Sequence, residues 1–190
     1  MKIALFFGSF NPIHIGHLII GNTLAESQHL DQVWFVVSPH NPFKQQKTLL
    51  HEFDRFDMVE LATQDNDRLR ASDIEFHLPK PSYTIDTLTY MQEKYPQHQF
   101  ALLMGSDNLS HFHKWKNYDK ILEYYRLYVY PRPHREPSAL DTHSQITFVE
   151  APLLDISATY IRQAIRENKS IQYLVPESVE NYIRRKNFYL

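Results

Sequence analysis

The first 22 residues, MKIALFFGSFNPIHIGHLIIGN, restrict the fold more than any other stretch of this chain. An apolar run over residues 2–7 has the length of a buried strand, and Gly8 stops it. Ser9, Phe10, Asn11 and Pro12 make a turn, after which His14, Gly16 and His17 lead into an apolar-periodic segment through Leu18, Ile19, Leu24 and Ala25. Strand, tight turn and helix start form the junction at which an open α/β sheet holds an anion. There the unpaired N–H groups and the dipole of the helix point outward beside the carboxyl end of the strand. His14 and His17 lie three apart, which sets both rings on one side of the first helical turn, within reach of one ligand. Gly16 between them removes a side chain where a flat ligand could lie against the backbone. Two other readings stand beside this one: a surface pair without a role, and a metal pair, for which no neighbouring carboxylate or third histidine completes a ligand set.

At 190 residues, 43% hydrophobic and 22% charged, the chain fits a single domain over residues 1–190 with a sizeable core. Its formal net charge of −2 gives no general surface for nucleic acid or anionic membrane, so any phosphate must be held by local donors. The lack of cysteine excludes disulfides, thiolate metal sites and cysteine catalysis. His and Asn follow the first apolar run where a signal peptide would stay apolar, and no run reaches membrane-spanning length. The expectation is a cytoplasmic, soluble protein that binds neither nucleic acid nor membrane, with homo-oligomerisation left open.

Further strands are expected at residues 32–38 (QVWFVVS), 69–76, 99–104 (QFALLM), 126–130 and 145–149. Helices are expected at 51–63, from a cap at Ser82 or Thr84 onward with Ile85, Leu88 and Met91 inward, at 157–166 and at 177–186. The segments 39–47 and 131–144 read as loops. Strands alternating with helices predict an α/β protein: a doubly wound, Rossmann-like parallel sheet with helices on both faces. Ligands bind such a sheet outside the carboxyl ends of its strands, near the switch in strand order. Residues 9–17, 39–44, 105–107, 131–133 and 156–157 all follow expected strands and are therefore expected to converge on one cleft.

GSFNPIHIGH at residues 8–17 resembles the phosphate-binding signature of the nucleotidyltransferase superfamily with the HxGH motif, and ISATYIR at 156–162 resembles its second signature. Between them, PSYTIDTL (81–88) and GSDNLSHFHKW (105–115) resemble motifs of the bacterial nicotinate-nucleotide adenylyltransferases. The chain departs from the family pattern at Phe7, Ser9, Asn11, Phe43 and Ala158, where a Gly, a Thr, an Asp, a His and a Ser are common. The resemblance implies adenylyl transfer from ATP to nicotinate mononucleotide, giving nicotinate adenine dinucleotide and pyrophosphate. It implies that His14 and His17 contact the ATP phosphates, and that Gly8, Ser9 and Phe10 supply backbone N–H groups. Lys44, Tyr83, Thr84, Asp107 and Trp115 would serve the mononucleotide.

The chemistry asks for little else. A 5′-phosphate oxygen is already an anionic nucleophile at neutral pH, so no general base is required. Catalysis then reduces to alignment and to donors for the charge on the α-phosphoryl group and the departing pyrophosphate. Mg²⁺ would arrive chelated by ATP, since no carboxylate cluster is evident. Ser157 has the place of an N-cap, and Thr159 and Arg162 follow it, so a second anion site at 157–162 would suit the β- and γ-phosphates. A related transferase acting on another phosphorylated acceptor, and a nucleotide sensor without turnover, are the alternatives.

Overall fold

The four central strands of this chain are buried on both faces, which is why they read as unbroken apolar runs and not as alternating ones. The computed structural model describes residues 1–39, 49–132, 137–152 and 154–190. Along the chain run β1 (Lys2–Gly8), α1 (Ile15–Ser27), β2 (Gln32–Val37), α2 (Glu52–Thr63), β3 (Leu69–Ser72) and α3 (Thr84–Lys94). They are followed by β4 (Gln99–Gly105), α4 (Ser106–Leu109), α5 (Tyr118–Tyr124), β5 (Arg126–Tyr130), β6 (Ile146–Phe148), α6 (Ala158–Arg166) and α7 (Glu177–Lys186). The six strands form one sheet in the order β3-β2-β1-β4-β5-β6, every pair parallel. β1 therefore stands at the switch point, pairing β2 on one side and β4 on the other, with Phe6 in register with Phe35 and with Leu103.

Alternate residues of each strand feed two separate cores. Ala4, Phe6, Val33, Phe35, Val37, Leu103 and Tyr128 pack beneath α1, α2, α6 and α7 through Leu24, Met58, Ile161, Val179 and Ile183. Ile3, Leu5, Trp34, Val36, Leu102 and Leu127 pack beneath α3, α4 and α5 through Leu88, Met91, Leu109 and Ile121. Helices thus cover both faces. Each fully buried side chain of this size contributes about 1.5–3 kcal/mol, so the two layers account for the stability of the sheet.

The expected strand at 69–76 ends at Ser72, and Ile74–His77 is a 3₁₀ turn. The spacing of Ile74 and Phe76 suggested one strand face, but Ile74 joins the α3-side core while Phe76 packs against the α2-side core. A strand sends residues i and i+2 to the same face, so the backbone has to turn here. Glu75, within that turn and 2% exposed, accepts a 2.8 Å hydrogen bond from the Thr87 hydroxyl and so fastens the turn to α3. Neither Ser82 nor Thr84 caps α3: Tyr83 is its N-cap residue, with extended backbone and no side-chain capping bond, while Ile85, Leu88 and Met91 are buried as expected. Among the described residues no helix is long and apolar enough to cross a membrane.

Candidate active site

The carboxyl ends of β1 and β4 open into a cleft of about 410 Å³. Its walls come from the turn after β1 (Gly8, Ser9, Phe10, Asn11), from His14 and His17, and from Asp107 and Asn108. Tyr130, Arg132 and the start of α6 (Ser157, Ala158, Thr159, Arg162) complete them. Segments expected to converge after β1, β4, β5 and β6 do so. Lys44 and Phe43 lie outside the described residues, as does Leu153.

The turn after β1 is tightly determined. Phe10 adopts a left-handed φ of 43°, an uncommon conformation for a residue with a side chain, and its ring is 3% exposed. Gly8 makes room for that ring, because a Cβ at Gly8 would stand 2.7 Å from it. Below the turn, Arg55 of α2 is fully buried. Its guanidinium donates to Ser9 O at 2.6 Å, Ser38 O at 2.9 Å, Leu50 O at 2.9 Å and Pro39 O at 3.3 Å. Burial lowers its pKa to about 10, so it remains a cation beneath the turn. Asn11 Oδ1 accepts from the Leu50 N–H at 3.3 Å and from the Tyr189 hydroxyl at 2.9 Å. The Asn11 side-chain oxygen therefore holds two other chain segments in place.

His14 is the N-cap residue of α1 and stacks on His17, with ring centroids 3.7 Å apart and an interplanar angle of 24°. Phe10 and Phe6 meet the His17 ring edge-on at 5.1 and 5.9 Å. The His14 N–H donates to His17 Nδ1 at 3.3 Å. A backbone N–H can only donate, so His17 Nδ1 is the acceptor and the neutral ring carries its proton on Nε2, as a donor. His14 is 6% exposed, and burial, with Arg132 second, pushes its pKa down to about 4. It is neutral at pH 7. Most N–H groups at the start of α1 are already used: Ile15 N–H donates to Leu174 O and His17 N–H to His14 O, both at 2.9 Å. The open row of donors expected there is largely closed, and the histidine rings are what this helix end offers. At Gly16 a Cβ would press on His14 Nδ1 at 3.1 Å. The glycine clears space for the imidazole.

Across the cleft, Ser157 caps α6 as expected, its Oγ accepting the Tyr160 N–H at 3.1 Å. The first-turn N–H groups of Ala158 and Thr159 precede any intrahelical partner, as at every helix start. Arg162 is half-buried and not a freely solvated side chain. Its Nη1 donates to Asn11 O at 2.8 Å and its Nη2 to Thr159 Oγ1 at 3.2 Å. The turn after β1 and the start of α6 are thus physically joined.

Arg132 belongs to the segment 131–133 expected at the cleft and lines it, although the sequence assigns its side chain no role. Its backbone N–H donates to Ser106 Oγ at 2.8 Å, its Nη2 donates to the Tyr130 hydroxyl at 2.9 Å, and its Nε lies 3.9 Å from Asp107 Oδ1. Its place directly after β5, in the sequence YPRPH, was the available signal. Asp107 is not the cap of α4; Gly105 occupies that position. Tyr83, Thr84 and Trp115 are not part of the histidine cleft. Tyr83 lies under Lys116 Nζ, 4.9 Å from its ring centroid, and Lys116 also bonds Asp86 at 2.7 Å. Trp115 is half-buried against Phe112, with centroids 5.1 Å apart.

A family model for cytidylyltransferase-like proteins matches residues 5–164 of the chain. A protein of Cytophaga hutchinsonii named "Probable nicotinate-nucleotide adenylyltransferase" is 62% identical over 189 residues, spanning 100% of this chain and 98% of its own. One of Flavobacterium johnsoniae with the same name is 53% identical over 191 residues, spanning 100% and 99%. The solved structure of Plasmodium falciparum nicotinic acid mononucleotide adenylyltransferase complexed with NaAD superposes with a TM-score of 0.83 at 20% identity. It covers 99% of this chain and 97% of that one, a likeness of fold. With both superfamily signatures converging on one cleft and relatives more than half identical along its whole length, the chain belongs to the cytidylyltransferase-like family and, within it, to the nicotinate-nucleotide adenylyltransferases.

Proposed function

We propose that the chain transfers the adenylyl group of ATP to nicotinate mononucleotide, forming nicotinate adenine dinucleotide and pyrophosphate, a step of NAD biosynthesis. The observation that carries this reading is one cleft with two kinds of anion donor on opposite walls. The stacked His14 and His17 stand on one wall, and the α6 start with Arg162 stands on the other. Two sets of donors lining one cleft suit a polyphosphate better than a single phosphate.

In this reading a 5′-phosphate oxygen of the mononucleotide attacks the α-phosphorus of ATP. The new P–O bond forms as the bond from the α-phosphorus to the bridging oxygen breaks, and that oxygen leaves on pyrophosphate with its electron pair. No proton has to be removed from the nucleophile. His17 Nε2–H donates to the α-phosphoryl oxygens, where charge builds in the transition state. Neutral His14 orders the His17 ring by stacking and serves as the second phosphate contact. The backbone of Gly8, Ser9 and Phe10 lines the same end of the cleft, while Ser157, Thr159 and Arg162 hold the β- and γ-phosphates. Arg132, adjoining His14, adds a charge near the α-phosphate. Beside the histidines, apolar Ile20, Pro131, Pro152 and Ile156 share a small recess with Arg132 and Asp155, and the nucleobase is placed against its apolar side.

Mg²⁺ enters this scheme as part of the MgATP substrate. Among the described residues no three His, Asp or Glu side chains come together, and Asp107 is already set against Arg132, which does not suit a protein-held ion. For the mononucleotide, Trp115 offers a stacking face, the start of α3 at Tyr83 and Thr84 lines the ring pocket, Asp107 accepts from a ribose hydroxyl, and Lys44 meets the phosphate. Both substrates are charged nucleotides that do not cross membranes unaided, which supports a cytoplasmic place of action.

The test is pyrophosphate release from ATP and Mg²⁺ with nicotinate mononucleotide or its amide as acceptor. Turnover favouring the acid is expected. Equal or better turnover with the amide would overturn the preference, and no pyrophosphate with either would overturn the reaction.

A further inference from the structure

The residues that follow α7 reach the phosphate turn, although they lie at the far end of the sequence. Asn187 takes a left-handed φ of 54° and ends α7, its N–H reaching Arg184 O, while the Phe188 N–H returns to Ile183 O at 3.1 Å. This reversal swings Phe188 against Tyr182, with centroids 5.9 Å apart, and delivers Tyr189 into the core at 8% exposure. The ring is packed among apolar side chains, but its hydroxyl is aimed at one acceptor, Asn11 Oδ1, at 2.9 Å. Arg55 and Arg162 both lie close enough to act electrostatically on the phenol.

Asn11 is where three constraints meet. Its carbonyl oxygen accepts from Arg162 Nη1, and its side-chain oxygen accepts from the Leu50 N–H and from Tyr189. We infer that Tyr189 is a positioning residue for ATP: its hydroxyl fixes the Asn11 amide, and through the Asn11 carbonyl it holds the Arg162 guanidinium in place for the triphosphate. The inference rests on the assignment of the cleft to ATP. The Tyr189 ring itself belongs to the core, so only the hydroxyl is given this role.

The experiment is Tyr189→Phe, which keeps the ring and removes the donor. ATP affinity is measured by calorimetry with a non-hydrolysable ATP analogue, alongside a melting curve. The variant is expected to bind the analogue about fivefold more weakly, the worth of one ordinary hydrogen bond. Its melting temperature is expected to stay within about 3 °C of the parent. In an Arg162→Ala background the same change is expected to have no effect on affinity, since the route through Arg162 is gone. Unchanged affinity in folded Tyr189→Phe, or an equal loss with and without Arg162, would overturn the inference while leaving the reaction standing. A parent protein that does not bind the analogue would instead overturn the assignment of the cleft. Should Tyr189→Phe fail to fold, Asn11→Ala removes the acceptor that Tyr189 shares with the Leu50 N–H, and an equal loss with and without Arg162 would again overturn the inference.

Discussion

Replacing Arg55 with methionine is expected to cost about 3–5 kcal/mol of folding stability, far more than an average helix substitution. Arg55 is fully buried, and its guanidinium satisfies four backbone carbonyls: those of Ser9, Ser38, Pro39 and Leu50. Three of the four distances are 2.9 Å or less, which is good geometry for a charged donor, and the bond to Pro39 at 3.3 Å is weaker. Hydrogen bonds to a charged group are worth about 1.5–3 kcal/mol each, but burying the cation offsets much of that sum. The pKa lowered to about 10 is the mark of that burial cost. Truncation recovers the cost of burying the charge but leaves carbonyls from three chain segments without donors, each costing about 1–3 kcal/mol unless water reaches it. Against a total of about 5–15 kcal/mol, a net loss of 3–5 is severe. Arg55→Lys should restore only part of it, because an ammonium cannot span the directions that a planar fork serves. Urea unfolding of the three proteins gives the answer through the midpoint and slope. An Arg55→Met protein within about 1 kcal/mol of the parent, at equal slope, would show that this side chain does not tie the turn after β1 to α2.

His17→Ala is expected to lower kcat by on the order of 10²-fold or more while changing the KM for ATP less, because the Nε2 donor acts mainly as charge develops; steady-state kinetics that moved KM alone would assign His17 to ground-state binding. Arg162→Ala should raise the KM for ATP and slow transfer. It should also cost about 1–2 kcal/mol in a melting or urea curve, since the half-buried guanidinium bonds Asn11 O, and Arg162→Lys should regain only part of both. The pKa of His14 is about 4 in the folded protein against 6.5 for the free side chain, so the unfolded chain binds the extra proton first as pH falls. The stabilisation from neutral His14 is complete above about pH 6.5 and is lost between there and pH 4, roughly 3 kcal/mol in all. The stability difference between the parent and His14→Gln should shrink by about that amount from pH 7 to pH 4, and parallel curves would contradict it.

The elements that were legible in the sequence are those whose burial is uniform. β1, β2, β4 and β5 are covered on both sides by helices, so their apolar runs are continuous and their ends lie within a residue or two of the expected ones. The α6 cap was equally legible, since Ser157 has both the residue type and the position that the N–H of Tyr160 needs. What stayed hidden depends on three dimensions. β3 is an edge strand of four residues, too short to set a period, and Ile74 and Phe76 mimic one while serving opposite cores. α4 and α5, of four and seven residues, are likewise too short for a helical pattern to stand out. In the site, the histidine pair could be read from local spacing, but the roles of its neighbours could not. Arg55 looks like a helix-surface cation until the fold closes carbonyls around it, and nothing local shows that the Asn11 oxygen serves Leu50 and Tyr189. The place of Arg132 after β5 was legible, but its contacts to Ser106 and Asp107 arise only when β5 is set beside β4.

The central claim is that this cleft moves the α-phosphoryl group of ATP with its adenosine, and not the γ-phosphoryl group. Parallel reactions with nicotinate mononucleotide and Mg²⁺, one with ATP labelled at the α-phosphate and one with ATP labelled at the γ-phosphate, test it most directly. The account predicts that the α-label appears in the dinucleotide and the γ-label leaves as pyrophosphate; γ-label carried into the mononucleotide product, or released as orthophosphate with no α-label transferred, would contradict it.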